Sequence, residues 1–240
     1  IGPVDISQPS LGLSNSGTYE NATGKAGEGG FISLGDGGIA TLTFEYPITN
    51  GTGPDFAVFE NAFNANFLEL AFVEASSDGQ NFVRFPAISN TDTSIQISSF
   101  GMLDATKIHN LAGKYQANYG TPFDLNDLIA DSAIINLNKV THLRIIDVVG
   151  SIQNTYASRD SRGIKINDPW STPFPSGGFD LDAVGVININ MDVPVKQIQD
   201  PVYTIFPNPV KSGNNIIIDA KEWETYSIMI HNIQGALVIT

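Results

Sequence analysis

Apolar and polar positions alternate in short runs along most of this chain, and glycine, proline, asparagine and aspartate separate the runs. "GGIATLTFEYPI" alternates, "DFAVFENAF" follows the turn "TNGTGP", and "VTHLRIIDVVG" and "GFDLDAVGVININ" add two further strands. "FLELAFVEASSDGQNFVRFPAI" reads as a hairpin, with Asp78-Gly79 at its turn. Helical spacing is confined to "TPFDLNDLIADS", where Asp124 and Asn126 offer caps and Leu125, Leu128 and Ile129 an apolar face. The pattern predicts an all-β protein: an antiparallel β-sandwich, jelly-roll-like, with long loops and one short helix. The two long irregular segments run from Thr91 to Thr121 and from Ser151 to Gly178. The second carries Tyr156, Trp170 and Phe174, so it is expected to be folded.

The pattern changes after Asn190. The expected organisation is a ligand-binding β-sandwich over residues 1–191, a proline-punctuated linker over 192–202 and a small β-sandwich over 203–240.

Composition sharpens this picture. Of the 240 residues, 42% are hydrophobic, enough for a substantial core, and no stretch approaches the apolar length of a membrane helix. Twenty-five acidic residues face twelve basic ones, a net charge of −13, which disfavours nucleic acid as a partner. An acidic, oxygen-rich chain suits hard cations such as calcium. Cysteine is absent, which excludes disulfides, thiolate metal sites and cysteine nucleophiles. The chain opens at "IGPVDIS" without methionine, as a mature or trimmed product would.

"YTIFPNPVKSGNNIIID" followed by "YSIMIHNIQGALV" resembles the C-terminal sorting domain of type IX secretion substrates, type A class. The matching positions include Pro207, Asn208, Pro209, Asn232 and Gly235. The usual closing hairpin has no counterpart, so the domain is expected to be partial. The resemblance implies export by the type IX machinery to the extracellular or outer-membrane surface of a Gram-negative bacterium. Further upstream, "SLGDGGIATLTFEYPITNGTGPDFAVFENAF", "FVEASSDGQNFVRFP" and "GGFDLDAVGVIN" look like a family of secreted bacterial "cell surface" proteins. The hairpin is also similar to those of galactose-binding-like jelly rolls, which implies glycan binding and a structural calcium. Association of some family members with corrinoid capture implies, as an alternative, vitamin B12 uptake beside an outer-membrane transporter.

The candidate chemistry follows from the strand readings. Alternation places Phe179, Leu181 and Ala183 on one face and Asp180, Asp182 and Val184 on the other. Two neighbouring carboxylates need compensation, and one calcium ion shared by Asp180, Asp182, Glu60, Asn61 and Asp36 would supply it. The competing assignment gives Asp180 to a turn cap and Asp182 to an ion pair with Arg144 or Lys165. Aromatic and polar loop residues form the candidate ligand set: Trp170, Phe174, Tyr156, Arg159, Arg162, Tyr115 and Tyr119.

No nucleophile elbow or phosphate loop is present, and His142 reads as a strand residue. A non-catalytic binding protein is therefore the leading expectation. A structural or adhesive surface protein is one alternative. A carboxylate glycoside hydrolase drawing on Glu60, Glu69, Glu74, Asp147, Asp180 or Asp182 is a weaker one.

Overall fold

The computed structural model describes residues 1–191 and, beyond them, the backbone of four short strands within residues 203–239. The chain divides into two compact units, Ile1–Val195 and Lys196–Thr240.

The first unit is a β-sandwich, as the alternation predicts. Its strands are β1 (Ile32–Ser33), β2 (Ile39–Ile48), β3 (Phe56–Glu60), β4 (Ala71–Ser76) and β5 (Val83–Arg84), then β6 (Ile88–Ser89), β7 (Ile108–His109), β8 (Thr121–Phe123), β9 (Val140–Asp147) and β10 (Asp180–Val186). One antiparallel sheet has the order β1-β10-β3-β8 and the other β2-β9-β4-β5, with β6 and β7 as a separate ribbon. The core lies between the two sheets. Phe56 and Val58 of β3, Phe123 of β8 and Leu181 of β10 meet Val73 of β4 and Leu143 and Ile145 of β9 there. Phe56 and Phe123 stack at 5.4 Å, and Phe85 packs edge-on against both.

Strand β4 is buried at every position rather than at alternate ones. The reason is a second apolar cluster, in which Leu103, Ile108 and Leu111 pack with Phe72. The first long irregular segment is thus a cover for this sheet. Glu74 tolerates burial on this strand because Arg84 and Arg144 both pair with it.

The Asp78-Gly79 turn forms as expected. The Asp78 carboxylate accepts the backbone N–H groups of Gln80 and Asn81, and Gly79 adopts φ +75°. The predicted helix is a 3-10 helix over Leu125–Asp131, capped by Asp124, which accepts the N–H of Asn126. Leu125 and Leu128 face the core, whereas Ile129 is exposed, because three residues per turn carry it off the stripe expected of an α-helix. His142 lies on β9 with its Nδ1 2.8 Å from the Thr141 hydroxyl.

The faces of β10 differ from simple alternation. Leu181 pairs with Glu60 but Ala183 pairs with Phe59, so Asp182 is the extra residue of a β-bulge. Leu181 and Ala183 consequently point to opposite faces. Val184 and Val186, opposite Val58 and Phe56, join Leu181 on the core side.

In the second unit β11 (Tyr203–Phe206) pairs antiparallel with β12 (Ile217–Ala220), and β13 (Ile230–His231) with β14 (Leu237–Ile239). The expected sorting residues Pro207, Asn208, Pro209, Asn232 and Gly235 lie outside the described residues, as does the expected linker at 192–202.

Candidate functional site

The outward face of the β1-β10-β3-β8 sheet carries an open groove. Strand register places Ala57 and Phe59 of β3, Pro122 of β8 and Gly185 of β10 on this face. One cavity of about 910 Å³ is lined by Phe59, Lys114, Tyr115, Gln116, Asn118 and Tyr119, among others. A second, of about 360 Å³, is lined by Lys25, Ala26, Asn118 and Gly185 and meets the first at Phe59 and Asn118. The Phe59 ring lies where neighbouring strands would otherwise project side chains. A Cβ on Gly120 would fall 2.8 Å from it, and one on Gly185 3.2 Å. Glycine at both places makes room for the ring. Tyr119 is 65% exposed and Tyr115 39%. The Lys114 ammonium lies 5.7 Å from the Tyr115 ring centroid.

Asp182 holds the far wall of this groove. Its carboxylate accepts the backbone N–H of Gly27, at 2.9 and 3.2 Å, and so fixes the loop that carries Lys25 and Ala26 beside β10. The bulge that turns Asp182 out of alternation aims it at that loop.

The expected ligand residues separate into three places. Tyr115 and Tyr119 line the groove. Tyr156, Arg159, Arg162 and Trp170 fasten the 151–178 loop. Trp170 stacks on Tyr156 at 6.3 Å and donates its indole N–H to Asp36 at 3.1 Å. Arg162 pairs with buried Asp160 and reaches Ser89 O and Asn90, while Arg159 bonds Gly163 O and Asn154. Phe174 belongs to a separate pocket.

That pocket, about 250 Å³, opens near the ends of β3 and β10 and is lined by Phe63, Phe67, Phe100, Phe174, Glu69 and Asp180, among others. The four rings form a row, with centroids 4.6, 6.2 and 5.4 Å apart in that order. Glu60, buried against the same end of β3, has one carboxylate oxygen, Oε2, without a hydrogen-bond partner. Burial, then repulsion from Asp180, pushes Glu60 well above the ordinary carboxylate range. Glu69 is raised by burial and by Asp180 and Glu60. Burial pushes Asp180 up to about 7, against the opposing hydrogen bond it accepts from the Ser33 hydroxyl.

The five oxygens expected to share one calcium are therefore distributed. Glu60 and Asp180 are neighbours, with Asn61 beside them on the pocket wall. Asp36 accepts the Ile6 N–H at 2.7 Å and the Trp170 indole, and Asp182 serves the Gly27 loop. Among the described residues no three acidic or histidine side chains are grouped as metal ligands. Neither ion pair of the competing assignment forms. Arg144 is taken by Glu74, and Lys165 donates to Ile152 O.

Two features lay beyond the sequence reading. Phe59 at the groove centre carries a weak signal, an aromatic at an outward strand position. The aromatic row of Phe63, Phe67 and Phe100 carries none, because it is assembled from separate loops. No family model, curated protein or solved structure matches the chain.

Proposed function

We propose that this protein is a non-catalytic binding protein of the bacterial cell surface that takes a glycan in the groove over the β1-β10-β3-β8 sheet. The observation that carries this reading is the Phe59 ring, set against Gly120 and Gly185 at the junction of two open cavities and flanked by exposed Tyr115 and Tyr119. Aromatic faces accept the apolar faces of sugar rings, while amide side chains such as Gln116 and Asn118 fix hydroxyl orientation. The two cavities together suit a ligand longer than a single sugar.

The type IX sorting resemblance supports the surface assignment, by way of the secretion machinery. A nutrient ligand such as a corrinoid, handed to an outer-membrane transporter, is the second reading of the same groove. Hydrolysis fits less well, because the acid among the groove-lining residues is Asp104 and the clustered carboxylates lie in the other pocket. The calcium of the sequence reading narrows to the Glu60–Asp180 neighbourhood, and calcium is an arm of the test below.

The experiment is a glycan array with a corrinoid arm, run on the full chain and on Phe59→Ala and Tyr119→Ala. The reading expects a glycan hit that both variants weaken at least tenfold. Binding that both variants leave intact refutes it.

A further inference from the structure

We propose that the phenylalanine-rimmed pocket at the ends of β3 and β10 binds a protonated primary amine carried on a short apolar body. Two carboxylates, Glu69 and Asp180, line a cavity whose remaining walls include Phe63, Phe67, Phe100 and Phe174. Both acids are more than nine-tenths buried, and Glu60 stands behind them with Oε2 unpartnered. Among the described residues no lysine, arginine or histidine forms an ion pair with any of the three. Glu74 and Asp160, by contrast, are buried acids of the same unit that have arginine partners.

The chemistry of the walls selects the kind of cation. A hard metal ion takes six to eight oxygens and gains nothing from the phenylalanine walls of this cavity. Four phenylalanines among the lining residues instead suit an organic cation, which sheds its water more readily. The Glu69 carboxylate, on the cavity wall and without a side-chain hydrogen bond or ion pair among the described residues, calls for a hydrogen-bond donor, which a primary ammonium has and a quaternary one lacks. Three of the rings, Phe63, Phe100 and Phe174, are substantially exposed, which leaves an apolar mouth for the carbon chain of the ligand.

The test is calorimetric titration of the full chain with n-pentylammonium, with the neutral isostere 1-pentanol and with calcium, repeated on Glu69→Gln and Phe100→Leu. Pentylammonium is expected to bind about 30-fold tighter than pentanol, the ratio that a desolvated cation–aromatic contact supplies. Glu69→Gln should weaken it about tenfold, and exposed Phe100→Leu, which leaves the core untouched, by a smaller factor. Cadaverine, glucosamine and Nα-acetyl-lysine amide as further arms separate a free polyamine, an amino sugar and a lysine side chain as the source. Equal binding of pentanol, binding of calcium alone, or no binding at all overturns the proposal. The groove reading stands apart from this result, because Phe59→Ala is expected to leave amine binding intact and Glu69→Gln to leave glycan binding intact.

Discussion

Replacing Asp180 by asparagine should stabilise this protein, and should do so more at high pH than at low. The folded state holds the Asp180 carboxyl up at about 7, against an ordinary value of 3.8, chiefly through burial. A carboxyl raised by folding binds its proton more tightly in the native state, so stability is fully present below the ordinary value. It falls as pH rises through 3.8 towards 7 and levels off above. At 1.36 kcal/mol per pH unit, ionising Asp180 in place costs about 4 kcal/mol by pH 8, of which about 1.6 kcal/mol is already lost at pH 5. Asparagine keeps an oxygen to accept the Ser33 hydroxyl and carries no charge. Urea unfolding of the wild type and Asp180→Asn, followed at pH 5, 6.5 and 8 in amine-free and calcium-free buffer, gives the gap directly. The gap should widen by about 3 kcal/mol between pH 5 and 8. Parallel stability curves for the two proteins would refute the argument, since they would show that Asp180 ionises in the folded state as freely as in the unfolded chain.

Other outcomes follow from particular contacts. Gly120→Ala would set a Cβ 2.8 Å from both Ala57 and the Phe59 ring, so it should destabilise by about 1–3 kcal/mol in urea unfolding and weaken groove binding at the same time. Asn167→Ala removes donors to Asp92 O and Ile95 O and the acceptor for Ile97 N–H from a fully buried site, a loss of about 3 kcal/mol measurable by thermal unfolding. Asp182→Ala should release the loop at Gly27, seen as faster amide exchange over residues 24–28, and should reduce glycan affinity while leaving the sandwich folded.

The sandwich was legible because alternation is a local signal, and β2, β3, β9 and the Asp78-Gly79 hairpin declare themselves within a few residues. The faces of β10 were not, since a bulge depends on the partner strand. Nothing in "FDLDAVG" marks Asp182 as the residue that pairs with nothing on β3. The acidic balance invited a cation reading, and it gave no sign of what the other buried aspartates do. Many buried aspartates here tie loops to the sandwich through backbone N–H groups: Asp55 holds Gly51 and Leu125, Asp147 holds Gly37 and Phe179, and Asp168 holds Leu70. A short carboxylate meeting an amide across a large sequence distance leaves no trace in spacing.

The loop aromatics show the same limit from the other side. Tyr115 and Tyr119 reach the groove, while Trp170 and Tyr156 close their own loop, although both pairs read alike in sequence. Segment length and glycine content mark a loop. They do not say which way its rings face.

Where a glycan sits on the molecule is the deciding observation. Amide chemical-shift mapping of the full chain with the strongest glycan from the array locates it residue by residue. Shifts centred on Ala57, Phe59, Tyr115, Tyr119, Gly120 and Gly185, absent in Phe59→Ala, are the predicted result. Shifts centred away from this sheet face, with those residues unmoved, would contradict it.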